Sequence, residues 1–343
     1  MTETLTFGPK DSGTEKFSVT YAAAPGEKVV LSGGRKITGF KPGENGIWEA
    51  QAPDVAAGKW YFEQLWVNGK RVAGVRYRKA GQEHTVTADK IVLSAGVYHS
   101  PQILMLSGIG PSAQLQGLGI PVVHDMPGVG ENYQDHPMLT MTFKTNPSNK
   151  KPLMRGRSTV KLYFKTDSAR EYINFHIIPR EAINLSGIGD MLGFSCNLLE
   201  QTNRGKLTLQ SADPNDLPNI DPQVLEHPKD IAAMLSAMKF VQRLADTEPL
   251  SQFFGELFSP GVTEDWEKFA RSSYTSYYHG VGTCKMGSAS DPMAVVDQQL
   301  RVHGFDNLWV GDASIMPTVV HANTNLTVMM IAERAAQLIK EHS

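Results

Sequence analysis

"VLSAGVYHSPQILMLSGIGP", residues 92–111, joins a short run of β-branched and aliphatic residues to a helical pattern through a small-residue turn. The opening, with Lys90 and Ile91 before it, has the pattern of a buried strand. Ser100 is placed to act as an N-cap and Pro101 to take the first helical position, where its missing N–H costs nothing. Gly108 to Pro111 then stops the helix. A strand that feeds a helix N-terminus through a tight turn is a building unit of nucleotide-binding α/β folds, and also of many others.

Working outward, 343 residues imply two or three domains. The apolar fraction of 41% and charged fraction of 20% are those of a globular protein. A net charge of −2 and a pI near 6.6 leave no basic footprint for nucleic acid or an anionic membrane. The two cysteines, Cys196 and Cys284, cannot form a disulfide framework, which fits a reducing compartment. The polar opening "MTETLTFGPKDSGTEK" does not read as a secretory signal, and no run approaches the ~20 apolar residues of a membrane span. The expectation is a cytoplasmic chain.

Residues 1–71 read as short β-segments, and Asn68-Gly69 in "WYFEQLWVNGKR" marks a tight hairpin turn. A second hairpin is expected around Lys79–Gly81. Residues 138–274 form an α+β segment of strands and one amphipathic helix, "PKDIAAMLSAMKFVQRLAD", whose apolar face carries Ile231, Leu235, Met238 and Val241. The chain then returns to strand–turn–helix in "LWVGDASIMPT" and "NTNLTVMMIAERAAQLIKEHS", with Asn323 or Thr324 as the cap.

Four ordered stretches together resemble the glucose–methanol–choline (GMC) family of flavin-dependent alcohol oxidoreductases. They are residues 92–111, "MPGVGENYQDHP" (126–137), "YYHGVGTCKMG" (277–287) and "LWVGDASIMPTVVHANTNLTVMMIAERAA" (308–336). The resemblance covers about residues 72–343. It implies FAD as cofactor and a small-molecule alcohol as substrate. His279 would be the catalytic base and Asn323 its partner on the alkoxide, with His321 left a structural role. Asp312 and Ala313 would lie near the flavin pyrophosphate and ribityl chain, and Asn325 and Thr327 at the helix start facing the pyrimidine ring. An imidazole suits the base because its pKa lies near the operating pH. Gly280 and Gly282 would let the backbone pass close to the flavin. On the residues alone, Asp312 could instead cap a turn, and Cys284 reads as a packing residue. No metal site is read from the sequence.

One family element is missing from these 343 residues. None of the G-x-G pairs continues as G-x-G-x-x-G after a strand, so the usual pyrophosphate cradle is absent. Residues 1–71 resemble instead the N-terminal segment of right-handed parallel β-helix carbohydrate-active proteins, without the rungs that would follow. The expected fold class is therefore α+β. A β-rich segment (1–71) precedes an incomplete FAD-binding α/β domain of GMC type (72–137 and 275–343), which encloses an antiparallel-sheet substrate domain (138–274). The expected activity is oxidation of an alcohol to an aldehyde or ketone, impaired by the missing cradle unless a partner chain supplies it. The alternatives are a non-catalytic GMC fragment or fusion product that does not hold FAD, and a carbohydrate-active β-helix protein.

Overall fold

The computed structural model describes residues 82–149, 160–166, 172–262 and 265–341, and ahead of them the strands Val30–Ser32, Lys41–Pro42, Trp48–Glu49, Trp60–Asn68 and Arg71–Lys79. Most of the segment likened to a β-helix start lies outside the described residues.

Ten strands and three helices position the site. In chain order they are β1 (Val30–Ser32), β2 (Trp60–Asn68), β3 (Arg71–Lys79), β4 (Gln82–Thr87), β5 (Ile91–Leu93), α1 (Gly96–Leu106), β6 (Pro137–Thr145), β7 (Phe175–Leu185), β8 (Gly189–Leu198), α2 (Pro228–Asp246), β9 (Phe254–Ser259), β10 (Leu308–Val310) and α3 (Asn325–Glu341). Strands pair at both expected hairpins: Asn68 pairs with Arg71, which makes Asn68 the last residue of its strand, and Lys79 pairs with Gln82. The first hairpin straddles the 71/72 boundary drawn from the sequence, so that boundary cuts through one folding unit.

A three-stranded parallel sheet is centred on β5, with β1 on one side and β10 on the other. All three residues of β5 are buried, as a strand covered on both faces requires. Helix α1 begins at Gly96, four residues before the expected Ser100 cap, and carries Pro101 inside it. Ser100 is fully buried; its hydroxyl accepts from the Ala95 N–H and donates to Asp312. A proline within a helix leaves the carbonyl four residues earlier without its donor. Here that carbonyl belongs to Val97, and the Thr283 hydroxyl donates to it at 2.6 Å. The helix therefore tolerates Pro101 because the turn at 277–287 completes it.

The second sheet has six strands, all antiparallel, with β8 paired to β7 and β6, and β9 on the far side of β6. Alternate residues of β6 (Leu139, Met141, Phe143) are fully buried, the period-2 pattern of a sheet with one packed face. Helix α2 covers that face with Ile231, Met234, Ala237, Met238 and Val241. Met234, rather than the expected Leu235, completes the stripe, and Leu235 is only half-buried.

Two apolar cores result. One gathers β5, α1, β10 and α3 and includes Cys284; the other lies between the large sheet and α2 and includes Cys196. Both thiols are free and fully buried. Burial pushes the Cys196 thiol up to about 12 and also raises that of Cys284.

Candidate active site

The site is built around the turn that follows Thr275–Ser276, a two-residue strand paired to the start of β6. Tyr278 sits at φ 62°, a left-handed conformation that a bulky residue adopts only when its surroundings enforce it. The enforcement is local. The Tyr278 N–H donates to Ser276 Oγ at 2.8 Å, and Ser276 Oγ donates to Asp135. Asp135 Oδ1 accepts the backbone N–H of His279 at 2.9 Å and that of His136 at 2.7 Å. The clamp turns the Tyr278 ring outward, 87% exposed, and the His279 ring inward, 8% exposed.

His279 Nδ1 lies 2.9 Å from Nδ1 of His136, with the two rings edge-on at 89°. On the other side, His279 Nε2 lies 3.2 Å from Nδ2 of Asn323. The Asn323 oxygen accepts from the Lys161 ammonium at 3.0 Å. Tyr277 packs edge-on to the His279 ring, at 4.4 Å between centroids. Burial lowers the pKa of His279, Asp135 opposes this by attraction, and the Lys161 charge lowers it further. His136 is driven down to about 3, by burial first and then by His279, His176 and His321. His176 is driven to about 4 by burial, then by Lys161 and His279. It is fully buried, neither ring nitrogen has a hydrogen-bond partner among the described residues, and it stands edge-on to Tyr163 at 4.4 Å. A neutral imidazole with its outer nitrogen beside an amide can accept a proton from a hydroxyl placed there.

The structure thus brings His279 and Asn323 together, and it places His321 apart from them, edge-on to Tyr172 at 5.9 Å. Asp312 is buried, and its carboxylate is shared among four protein donors. Oδ1 accepts from the N–H and hydroxyl of Ser314; Oδ2 accepts from the Gly96 N–H and the Ser100 hydroxyl. It staples the start of α1 to the turn after β10. Ala313 follows in that turn and its carbonyl accepts from Gly282 N–H at 3.3 Å. The closeness allowed by Gly280 and Gly282 is to protein. A Cβ on Gly282, at φ +100°, would lie 2.3 Å from the Asn132 carbonyl oxygen, and one on Gly280 would press on Val97 and Tyr133. Asn325 and Thr327 open α3, where Asn325 and Leu326 are exposed. That helix start lies two residues beyond Asn323, and the first N–H groups of a helix are its positive end. Among the described residues no cluster could hold a metal ion.

Sequence reasoning gave no role to Asp135 or His136, although both lie in the quoted 126–137 stretch. Two adjacent ionisable residues directly before a proline were the available signal. Their contact with His279 spans 143 and 144 positions, which no local pattern encodes.

Comparison with known proteins identifies the family. The GMC oxidoreductase family matches through its N-terminal profile over residues 55–138 and its C-terminal profile over residues 201–332. The chain belongs to the GMC oxidoreductases. The family match starts at residue 55 and so includes the β2–β3 hairpin. Human mitochondrial choline dehydrogenase is 38% identical over 304 residues, which is 79% of this chain and 51% of that protein. The alcohol dehydrogenase [acceptor] of Pseudomonas putida is 36% identical, over 79% of this chain and 55% of its own length. Among solved structures, pyridoxine 4-oxidase from Mesorbium loti aligns with a TM-score of 0.75 at 27% identity, covering 83% of this chain and 58% of that one. The chain spans about half the length of the curated relatives it matches. Among the described residues no helix is long and apolar enough to cross a membrane.

Proposed function

We propose that this chain carries the substrate side and the proton-transfer groups of an FAD-dependent alcohol oxidoreductase. The observation that carries this reading is the pair His279 Nε2 and Asn323 Nδ2, 3.2 Å apart at the start of α3. His279 accepts the hydroxyl proton of the alcohol on Nε2, and Asn323 donates to the oxygen as negative charge builds there. An alkoxide is a far better hydride donor than an alcohol. When bound, the flavin supplies the hydride acceptor, and the product is an aldehyde or ketone. The start of α3, at Asn325 and Thr327, would hold the pyrimidine end of the flavin, and the turn at Asp312 and Ala313 would border its ribityl chain. Asp312 supports that turn through its four protein hydrogen bonds.

In the same reading residues 138–274 choose the alcohol, while 72–137 and 275–343 serve the flavin. The 343 residues contain no G-x-G-x-x-G unit, so this chain takes up FAD weakly unless a second chain completes the site. The alternative, a GMC fragment that does not hold FAD, is favoured by that same lack and by the outward apolar side chains of α3. A visible spectrum of the purified chain, before and after FAD and gel filtration, separates the two. Retained flavin bands followed by bleaching with a primary alcohol support the oxidoreductase. A chain that stays colourless at saturating FAD supports the fragment.

A further inference from the structure

The tautomer of His279 decides whether its outer nitrogen can act as a base, and the residues behind it settle that tautomer. The determination starts at Lys161. An ammonium has donors only, so the Asn323 atom facing Lys161 Nζ at 3.0 Å is the amide oxygen. The amide NH₂ is thereby turned to His279 Nε2, which must accept and so carries no proton. The single proton of neutral His279 then lies on Nδ1, directed at His136 Nδ1, 2.9 Å away. His136 accepts it only with its own proton on Nε2. The Leu199 carbonyl biases the His136 ring toward holding a proton, although it does not reach hydrogen-bond geometry with Nε2.

We infer that His136 is the positioning residue of this site: it accepts the Nδ1–H of His279 and thereby keeps His279 Nε2 unprotonated on the side of Asn323. The inference rests on the reading of His279 as the base. The place behind the base is one where a carboxylate could serve, and one lies in the adjoining residue. Asp135, however, is turned to the backbone N–H of His279 and to Ser276, and leaves the ring to His136. A neutral acceptor orients the imidazole without adding a second attraction that would hold it protonated. The other charged or titratable groups facing the two rings are Asp135, Lys161, His176, His321 and Tyr277. Among the described residues none of these side chains hydrogen-bonds either ring. The chain of donors therefore runs in one direction, from Lys161 through Asn323 to His279 Nε2, and from His279 Nδ1 to His136.

The test needs no flavin. In the uniformly ¹⁵N-labelled chain at pH 8, long-range ¹H–¹⁵N correlation reads which nitrogen of each neutral imidazole is protonated, with signals assigned by their loss in His279→Gln and His136→Asn. The expected result is Nδ1–H on His279 and Nε2–H on His136. In His136→Phe the Nδ1–H loses its acceptor and only the Asn323 amide still opposes the Nε2–H form that free histidine favours, so the Nε2–H share of His279 should rise. His136→Asn places an amide oxygen near the lost Nδ1 and should restore Nδ1–H. An Nε2–H form of His279 in the unaltered chain overturns the inference, and so does an Nδ1–H form that survives undiminished in His136→Phe, which would leave Asn323 as its sole determinant. If His136→Phe does not fold, the spectrum of the unaltered chain still decides. Failure of the base reading looks different: the Nδ1–H form would be present, yet His279→Ala would keep its turnover in the flavin-loaded chain.

Discussion

The two cores are made of similar residues and are closed in different ways. The substrate-side core is sealed by a six-stranded sheet and the 19 residues of α2, and its large rings (Phe143, Phe194, Phe254) pack on one another. The flavin-side core rests on three parallel strands of three residues each, and it is held together largely by loops and side-chain staples such as Asp312 and Thr283. Helix α3 packs one face on that core and leaves Leu326 and Met330 mostly exposed on the other. The sheet-and-helix half buries its rings behind regular elements, whereas the other leaves Leu326 and Met330 facing outward. His279 sits between the two, clamped by Asp135, His136 and Asn323.

The sharpest way to break this comparison is at the seam. In a flavin-loaded chain, His279→Ala should cut turnover by about 10²–10⁴-fold, the range for loss of a general base, while both cores and flavin content stay intact. Steady-state assays alongside near-UV circular dichroism check this. Unchanged turnover would place the base elsewhere.

Within the cores, Phe143→Ala removes a fully buried ring that stands edge-on to Phe254 at 5.4 Å. It should destabilise the substrate half by about 3–5 kcal/mol in urea unfolding. Thr283→Val, on the flavin side, bares the Val97 carbonyl beside Pro101 and should cost about 1–3 kcal/mol. No measurable loss in Thr283→Val would contradict a half held together by single hydrogen-bonded staples.

Acid tests the seam again. His136 and His176 hold folded-state values of about 3 and about 4, against 6.5 for an exposed histidine. Because the unfolded chain binds their protons first, the stability they confer is complete above pH 6.5. It declines as pH falls from there toward those folded values. Thermal midpoints between pH 7.5 and 4.5 should therefore drop, and His176→Phe should flatten the slope.

The smallest expected effect concerns Lys161, an exposed cation whose charge lowers the His279 pKa. Lys161→Met should move the acid limb of the pH–rate profile, where His279 loses its proton, to higher pH. It should also improve a cationic alcohol relative to an uncharged one of similar size, since the native ammonium repels a second cation. A profile that moves the other way would remove Lys161 from the site.

Legibility followed distance along the chain. The two hairpins were readable because Asn68-Gly69 and the Lys79–Gly81 turn are local signals, and the α2 stripe was readable within one residue because helical periodicity is local. His279 and Asn323 were legible only through the order of four stretches in a familiar family, since nothing near either residue fixes its role. The start of α1 was misread for a definite reason: Pro101 signals a first turn unless a distant hydroxyl relieves it, and Thr283 does so from 186 positions away. Asp135 and His136 escaped for the same reason. Nothing local to Asp312 shows that its oxygens accept from Gly96, Ser100 and Ser314, two of which lie more than 200 positions away.

The two free thiols divide between the two cores, Cys196 in one and Cys284 in the other, each wholly buried. Neither can react with an alkylating reagent until the packing around it opens, because burial both hides the sulfur and disfavours its thiolate. The chain therefore contains two internal clocks. The alkylation rate at each cysteine, read peptide by peptide, times the opening of one core independently of the other. Adding FAD, or a chain that completes the flavin site, should slow the clock at Cys284 and leave that at Cys196 nearly unchanged.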